Sequence, residues 1–406
     1  MIELLSIDEF EKAEKIVKNV AARTELVHSA FFSSISGNDI YLKPENMQYT
    51  GSYKLRGAYY KISTMSDQER SKGLITASAG NHAQGVAYAA KEYGVKATVV
   101  MPKTTPLIKV NRTKAHGAQV ILHGDVYDDA CDCAVGMAET KGLVFVHPFN
   151  DLRVAAGQGT VAVEILDEMP DTDIILVPVG GGGLATGTAA YAKQKNPKIK
   201  VVGVEPEGAA CLKASLEAGR VTTIPHINTI ADGTAVQTPG DRLFPYLETF
   251  IDDIITISDE ELIVAYLDMV ENHKMIVENS GLLSVAAIKH LDVKGKKIVS
   301  ILSGGNMDVI TMSSVISQGL VLRSRIFTVS VLLPDKPGEL VRVSDIIAKN
   351  NGNVIGLEHN QFVSINRNAA VELQITIEAF GSDHKHAIVQ ALEEGGLTPR
   401  IVNVRL

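Results

Sequence analysis

Cysteine is scarce in this sequence of 406 residues. The three cysteines, Cys131, Cys133 and Cys211, provide neither an even disulfide set nor the paired spacing of a zinc site. The histidines show no metal-ligand spacing either. We therefore predict reduced thiols and no zinc centre.

Clusters of basic residues are also missing. Lys and Arg total 39 against 47 Asp and Glu, so the formal net charge is −8, and no basic run is interleaved with aromatic residues. Nucleic-acid-binding proteins usually carry a basic patch. We therefore expect a small-molecule ligand and no nucleic-acid partner. Internal repeats and low-complexity tracts are absent as well.

No stretch of the sequence is suited to cross a membrane. Ile174–Ala192 has no charged residue over 19 positions, but it contains Pro178 and a glycine run, which argue against a span. The first residues, Met1–Leu5, lack the basic start and apolar core of a signal peptide. We therefore expect a cytoplasmic protein with no membrane partner.

Short apolar, β-branched runs alternate with alanine-rich helical stretches from about residue 7 to residue 319. This alternation predicts an α/β fold with mostly parallel sheets wrapped by helices. Ligands of such folds collect at the carboxyl ends of the strands. The predicted strands are Lys96–Met101, Gln119–Leu122, Val144–His147, Ile174–Val179, Lys200–Glu205 and Lys297–Leu302.

The pattern changes after Gly319, and we place a domain boundary near Leu322, between residues 1–322 and 323–406. The second segment fits a ferredoxin-like βαββαβ unit, with a loop or bulged edge at Phe362–Asn368. It contains no catalytic constellation, so we expect it to serve regulation or assembly. Its predicted elements are strand Phe327–Leu332, helix Glu339–Asn350, strands Val354–Gln361 and Ala370–Glu378, helix His384–Gly395 and strand Arg400–Arg405.

The most informative motifs are Ser52–Ala58, which contains Lys54, and the glycine run Gly180–Gly183. A lysine forms a Schiff base with an aldehyde when its amine is partly unprotonated, and we expect the nearby Arg56 to lower the pKa of Lys54. Glycines between a strand and a helix present N–H groups to a phosphate. Each motif alone is also compatible with a solvated lysine or a flexible turn. Together they point to pyridoxal phosphate.

Two further loops contain candidate site residues. Thr76–Gly85 leads into a helix and offers free N–H groups to an α-carboxylate, and Asn81 is suited to bond a phenolic oxygen of the cofactor; a simple N-cap is the alternative. Ser303 is suited to meet the pyridine nitrogen, which a hydroxyl would not hold protonated; an ordinary turn is the alternative.

Taken together, these residues resemble the threonine/serine dehydratases of the pyridoxal-phosphate β-family, fold type II, over nearly the whole chain. The resemblance implies two lobes, with a smaller lobe at about 51–148 inserted in the larger one. The tail resembles an ACT-type regulatory domain, with Asp335–Gly338 at its first turn. The matching motifs are Arg23-Thr24, Tyr41–Asn46, Thr50–Ala58, Ser78–Gly85, Gly180–Gly183 and Ser303–Asn306.

The resemblance also implies roles for single residues. Lys54 would bind the cofactor covalently and then, once released, remove the α-proton of the substrate. Tyr53 would face the cofactor ring, Asn81 its 3′-oxygen and Ser303 its ring nitrogen. The phosphate would be held by Gly180, Gly181, Gly182, Gly183 and Leu184. The substrate would be held by Ser78, Ala79, Gly80, Asn81 and His82.

Three positions depart from the pattern of related enzymes. Tyr53 stands where the family more often has Phe, which keeps an aromatic face. Ala79 stands where related serine racemases carry a serine acid/base, so we expect racemisation to be minor. Glu205 matches a cation-site carboxylate of those racemases, but Cys211 replaces the second carboxylate. A divalent site is therefore doubtful, whereas a monovalent cation held by Glu205 and backbone carbonyls stays open.

The expected reaction is the conversion of L-threonine to 2-oxobutanoate and ammonia, and of L-serine to pyruvate. By analogy with the family, isoleucine or another branched-chain amino acid would act as effector at the tail, and the chain would form a homodimer or homotetramer. Three alternatives stay open: a catabolic enzyme that prefers serine, a β-replacement enzyme of the same fold, and a non-catalytic amino-acid sensor.

Overall fold

A computed structural model of the chain describes residues 5–361 and 371–404. The chain divides by its contacts into two compact units, Met1–Asp308 and Val309–Leu406. The helix Val309–Leu322 falls in the second unit, whereas the sequence assigned it to the first segment. The boundary near Leu322 and the lobe limits stay predictions.

The first unit contains two sheets. The ten strands described in it are β1 (Val27–His28), β2 (Asp39–Lys43), β3 (Leu74–Ala77), β4 (Ala97–Met101), β5 (Gln119–Leu122), β6 (Val144–Phe145), β7 (Ile174–Pro178), β8 (Lys200–Pro206), β9 (Asp253–Ile257) and β10 (Lys297–Ile301). The larger sheet has the order β1-β2-β10-β7-β8-β9 and is parallel except for the pair β1–β2. The smaller sheet has the order β5-β4-β3-β6 and is wholly parallel. The predicted α/β fold is confirmed.

Helices cover these sheets. They are α1 (Ile7–Val17), α2 (Ala30–Ser36), α3 (Lys54–Ser63), α4 (Asp67–Ser71), α5 (Asn81–Glu92), α6 (Leu107–Ala115), α7 (Tyr127–Lys141), α8 (Leu152–Glu168), α9 (Gly183–Lys195), α10 (Cys211–Ala218), α11 (Phe244–Phe250), α12 (Asp259–Asp268) and α13 (Asn279–Ala286). Short 3-10 turns lie at Glu45–Met47, Glu207–Ala209, Asp232–Thr234 and Ala287–His290, and a π-helical turn at Met269–His273. In the part of the chain that the structure describes, no helix is long and apolar enough to span a bilayer.

The core of the first unit is built from small and β-branched residues. Every residue of β7 and β3 is buried, as expected for central strands of a parallel sheet that is covered on both faces. Helices α8 and α9 approach closely because glycines face each other: a Cβ at Gly187 would lie 2.2 Å from the carbonyl oxygen of Ala155. This contact packs the first half of α9 directly against α8.

The second unit contains one antiparallel sheet. Its elements are α14 (Val309–Leu322), β11 (Ile326–Leu333), α15 (Glu339–Lys349), β12 (Asn353–Asn360), β13 (Val371–Glu378), α16 (Ser382–Glu394) and β14 (Arg400–Val402). The sheet order β12-β13-β11-β14 confirms the ferredoxin-like arrangement, in which the first and third strands are central. The predicted loop at Phe362–Asn368 lies outside the described residues.

Candidate active site

The predicted loops meet at one cavity of about 830 Å³ in the first unit. β3 of the smaller sheet ends just before Ser78, whereas β7 and β10 of the larger sheet end before Gly180 and Ser303. The cavity is therefore built from the carboxyl ends of strands from both sheets, where an α/β fold usually binds its ligands. It is lined by the predicted residues Tyr53, Lys54, Ser78, Ala79, Gly80, Asn81, His82, Gly180, Gly181, Gly182, Gly183, Leu184 and Ser303.

Lys54 is the first residue of α3 and extends into this cavity. Its Nζ donates to the carbonyl oxygen of Pro148 at 2.9 Å and lies 5.3 Å from the centre of the Tyr53 ring. Burial lowers the pKa of Lys54 to about 8, although the charge of Glu278 opposes the shift. A neutral, nucleophilic amine is therefore accessible near neutral pH.

Arg56 has a different role from the one that the sequence predicted. Its guanidinium is buried and binds two carboxylates, with Nε 2.8 Å from Glu45 Oε2 and Nη1 2.7 Å from Glu164 Oε1. Lys43 Nζ lies 2.6 Å from the same Glu164. These four residues form a buried ion cluster, and Arg56 is not among the groups that shift the pKa of Lys54. The prediction that Arg56 lowers this pKa is wrong, because residues two apart on a helix point to different faces.

The glycine run forms a close-fitting loop between β7 and α9. A Cβ at Gly181 would lie 2.3 Å from the ring of Phe149, and one at Gly182 would lie 2.7 Å from Leu247. Gly182 also has φ +97°, a conformation that favours glycine. Helix α9 begins at Gly183, so its first N–H groups and the positive end of its dipole are directed to the end of this loop. Such a loop suits a phosphate.

Helix α5 carries the second predicted loop into the cavity. The helix begins at Asn81, and Ser78 Oγ accepts from the N–H of Gly80 at 3.2 Å. The side chain of Asn81 does not cap the helix; its Nδ2 donates to Glu278 Oε1 at 2.6 Å. His82 Nε2 lies 3.0 Å from the carbonyl oxygen of Val146, and burial, followed by the charge of Lys54, lowers the pKa of His82 to about 3. His82 is therefore neutral, with its proton on Nε2.

Ser303 is buried at the end of β10. Its carbonyl oxygen accepts from the N–H of Tyr53 at 3.2 Å, and a β-bridge joins the adjacent Gly304 to Ser52. These contacts hold the β10 loop against the start of α3. The Ser303 side chain consequently lines the same cavity as Lys54.

Glu278 is a cavity residue that the sequence did not indicate. It lies immediately before α13, is only 7% exposed, and its N–H donates to the carbonyl oxygen of Gly304 at 2.9 Å. Burial, followed by the charge of Asp232, raises the pKa of Glu278 to about 7. No strand precedes Glu278, so sequence reasoning based on strand ends could not find it. A carboxylate before the apolar helix resembles an ordinary helix start.

Glu205 lies outside the cavity lining. It is buried at the end of β8, and its two carboxylate oxygens accept from the N–H groups of Leu212 and Lys213 at 2.8 and 2.9 Å. Burial raises the pKa of Glu205 to about 7. Within residues 5–361 and 371–404, no group of three or more His, Cys, Asp or Glu is arranged to hold a metal ion. The cation assignment of Glu205 stays a prediction.

The residues of the cavity fit pyridoxal phosphate. The amine of Lys54 has the lowered pKa that reaction with an aldehyde requires. The glycine loop has no space for a Cβ at Gly181 or Gly182, which would meet Phe149 or Leu247, and its backbone lines the cavity at the start of α9, where a phosphate is suited to bind. Tyr53 offers an aromatic face, and Ser303 offers a hydroxyl for an unprotonated ring nitrogen.

Comparisons with known proteins agree with this fit. The family model described as pyridoxal-phosphate dependent enzyme matches residues 17–304. The chain is 41% identical over 400 residues to an L-threonine ammonia-lyase of Thermotoga maritima, covering 98% of this chain and all of that one. Threonine deaminase isoform 2 of Solanum lycopersicum superposes with a TM-score of 0.73 at 37% identity, covering 77% of this chain and 94% of that one. Maize serine racemase gives a TM-score of 0.73 at 35% identity, covering 78% and 98%. The chain belongs to the family of pyridoxal-phosphate-dependent enzymes.

Proposed function

We propose that the chain is an L-threonine ammonia-lyase that converts L-threonine to 2-oxobutanoate and ammonia. The observation that carries the proposal is the position of Lys54: its amine, with a pKa lowered to about 8, lies in one cavity with the glycine loop. The names of the relatives at about 40% identity support the choice of threonine. Bound pyridoxal phosphate supplies the electron sink that acidifies the α-carbon of an amino acid.

The residues of this chain then have to bind the amino acid and remove its α-proton, while the β-hydroxyl gains a proton and leaves as water. Lys54 Nζ is the base suited to take the α-proton, because its lowered pKa leaves a substantial neutral fraction near neutral pH. The N–H groups at the start of α5, after Ser78, suit the α-carboxylate. Ala79 offers no hydroxyl to return a proton from the other face, so elimination is favoured over racemisation.

The test is release of 2-oxobutanoate from L-threonine by protein loaded with pyridoxal phosphate. We expect Lys54→Ala to lower the rate by at least about a thousandfold, because both the covalent anchor and the base are lost. Lys72→Ala, at an exposed lysine after α4, is the matched control and should retain full activity. Product formation by Lys54→Ala at the wild-type rate, or none by the wild type, would refute the proposal.

We also propose activity on L-serine, with pyruvate as product. A cavity that accepts threonine accepts the smaller serine, since both carry the β-hydroxyl that leaves. The ratio of kcat/KM for the two amino acids decides between a threonine enzyme and the alternative that prefers serine. Added sulfide tests the β-replacement alternative, because an enzyme of that kind would then convert serine to cysteine.

For the second unit we propose an ACT-like regulatory role, with isoleucine or another branched-chain amino acid as effector. Its βαββαβ order and antiparallel sheet support this role. The effector should change both threonine turnover and the melting temperature. If isoleucine and valine change neither, the regulatory proposal fails.

We further propose that the chain forms a homodimer or homotetramer. β12 is an edge strand whose side chains are largely exposed, including Ile355 and Leu357 at 45% and 44%. An exposed apolar edge strand is suited to pairing with another chain. Sedimentation equilibrium tests the proposal, and a monomer at micromolar concentration would contradict it.

A further inference from the structure

Glu278 is a buried carboxylate that the proposed reaction does not use. It lines the cavity and is 7% exposed, yet within the described part of the chain no Lys or Arg nitrogen forms an ion pair with it. It precedes α13, but its side chain makes no capping hydrogen bond to that helix. A buried carboxylate without an ion-pair partner costs stability, so its presence in a cavity indicates a functional role.

The carboxyl of Glu278 accepts from the side chain of Asn81 and from the backbone N–H of Asn306, and Asn81 is held at both ends. Asn81 Nδ2 donates to Glu278 Oε1 at 2.6 Å, and Asn81 Oδ1 accepts from Asn306 Nδ2 at 2.8 Å. Asn306 is itself held, because it also donates to the carbonyl oxygen of Thr50 at 2.7 Å. Because Asn306 Nδ2 donates to Asn81 Oδ1, the NH₂ group of Asn81 is the end that faces Glu278, whose carboxyl oxygen accepts. One N–H of that group remains for a ligand in the cavity.

The backbone around Glu278 makes space for this contact. A Cβ at Gly304 would lie 2.3 Å from Glu278 Oε1 and 3.1 Å from Asn81 Nδ2. Any side chain at Gly304 would therefore displace the carboxylate or the amide. The glycine belongs to the β10 loop that also carries Ser303, so the loop accommodates the pair while it lines the cavity.

The charged groups around Glu278 come from several elements. Asp232 raises its pKa further after burial, whereas Lys109 opposes the shift. Burial lowers the pKa of Lys54 and raises that of Tyr53; the charge of Glu278 opposes the first effect and adds to the second. Glu278 therefore forms a hydrogen bond with Asn81 and acts on Lys54 through its charge. Both of these residues are proposed to hold the cofactor.

We propose that Glu278 is a positioning residue: it fixes the amide of Asn81 in the orientation that donates to the phenolic oxygen of the cofactor. This inference rests on the proposed contact between Asn81 and that oxygen. It requires that replacing Asn81, Glu278 or both residues weakens cofactor binding by about the same factor.

The test measures cofactor affinity without any substrate, by titrating apoprotein with pyridoxal phosphate and recording the visible absorbance of the bound form. We expect Glu278→Ala and Asn81→Ala each to raise Kd by about tenfold, the value of one charge-assisted hydrogen bond. The double variant should also lose about tenfold, because two coupled residues do not add. Glu278→Gln still accepts from Asn81 and should stay within about threefold of the wild type.

Melting of the apoprotein separates positioning from a merely structural role. Glu278 has no ion-pair partner, so its burial costs stability. The melting temperature of Glu278→Ala should therefore be unchanged or higher. Glu260→Ala, at an exposed glutamate on α12, is the matched control for both measurements. A wild-type Kd for Glu278→Ala, a hundredfold loss in the double variant or a tenfold loss in Glu278→Gln would each overturn the inference.

Cofactor affinity and threonine turnover together distinguish a failure of this inference from a failure of the proposed reaction. Protein that binds the cofactor with the expected coupling but releases no 2-oxobutanoate from threonine would refute the reaction and support the role of Glu278. Normal turnover with additive losses in Kd would do the reverse. If Glu278→Ala fails to fold, Glu278→Leu takes its place, because it also removes the acceptor for Asn81 but fills more of the space; a tenfold rise in Kd supports the inference and a wild-type Kd contradicts it.

Discussion

Two cations stand two residues apart on α3 and have opposite environments. Lys54 enters the cavity, where burial lowers its pKa to about 8. Arg56 enters the buried ion cluster, where Glu45 and Glu164 outweigh the effect of burial and raise its pKa. Burial without an ion-pair partner makes an amine reactive, whereas burial with two carboxylates keeps a guanidinium charged and inert. Helix α3 thus carries both the proposed catalytic base, Lys54, and the central arginine of the buried ion cluster, Arg56.

Removing the centre of the buried ion cluster should give the largest change in stability. Arg56→Met leaves Glu45 without its ionic partner and Glu164 with Lys43 alone, and we expect the free energy of unfolding of the first unit to fall by about 3–5 kcal/mol. Chemical denaturation measures the change. Arg220→Met, at an exposed arginine after α10, is the control and should be nearly neutral. A loss below about 1 kcal/mol in Arg56→Met would show that the buried ion cluster contributes no more stability than an exposed ion pair.

A side chain in the glycine loop should weaken cofactor binding without disturbing the buried ion cluster. Gly181→Ala places a Cβ against the ring of Phe149, so we expect the Kd for pyridoxal phosphate to rise by about a hundredfold, near 3 kcal/mol. Titration of apoprotein measures it. Gly136→Ala in α7 is the matched control, because a Cβ there meets no atom within 4 Å. Unchanged affinity in Gly181→Ala would show that the loop does not hold the phosphate.

The pH dependence of cofactor loading tests the reactivity of Lys54. The amine is neutral above its pKa of about 8, so the loading rate should rise about fivefold from pH 7 to pH 8 and level off above pH 9. Stopped-flow absorbance measures this rate. N-acetyl-lysine, whose amine is not buried, should continue to gain rate up to about pH 10. A protein rate that follows this model compound would show that burial does not lower the pKa.

An exposed ion pair should show the smallest effect. Lys349 and Asp345 lie 2.6 Å apart on α15, with side chains 72% and 53% exposed. We expect Lys349→Ala to change the free energy of unfolding by less than about 0.5 kcal/mol, because water screens the pair. Denaturation measured beside Arg56→Met gives the comparison directly. A loss comparable to that of Arg56→Met would show that burial does not decide the strength of ion pairs here.

The fold was largely predictable because the strands are continuous apolar runs. The predicted strands at Gln119–Leu122 and Ile174–Val179 appear as β5 and β7, within one residue at each end. The pattern of buried parallel strands and alanine-rich helices predicted six of the ten strands described in the first unit and missed β1, β2, β3 and β9, which are short or contain charged residues. The C-terminal order of elements followed from the same periodicity.

Apart from Lys54 and Tyr53, which their own motif indicated, the contents of the cavity were predictable where they follow a strand. Ser78, Gly180 and Ser303 do so, and they line the same cavity as Lys54. Glu278 follows a π-helical turn and an irregular segment, and only the tertiary fold brings it to Asn81. The direction of Arg56 was predictable in principle, since helical geometry separates it from Lys54, but its partners Glu45 and Glu164 were not.

The cavity is completed by strands of two different sheets, since β3 belongs to one and β7 and β10 to the other. Neither sheet alone can therefore assemble the whole set of groups around Lys54. During refolding, each sheet can regain its own backbone pairing while the protein stays colourless. We therefore expect the colour of the bound cofactor to appear only after the two sheets have joined, so that colour and backbone structure should return at different times.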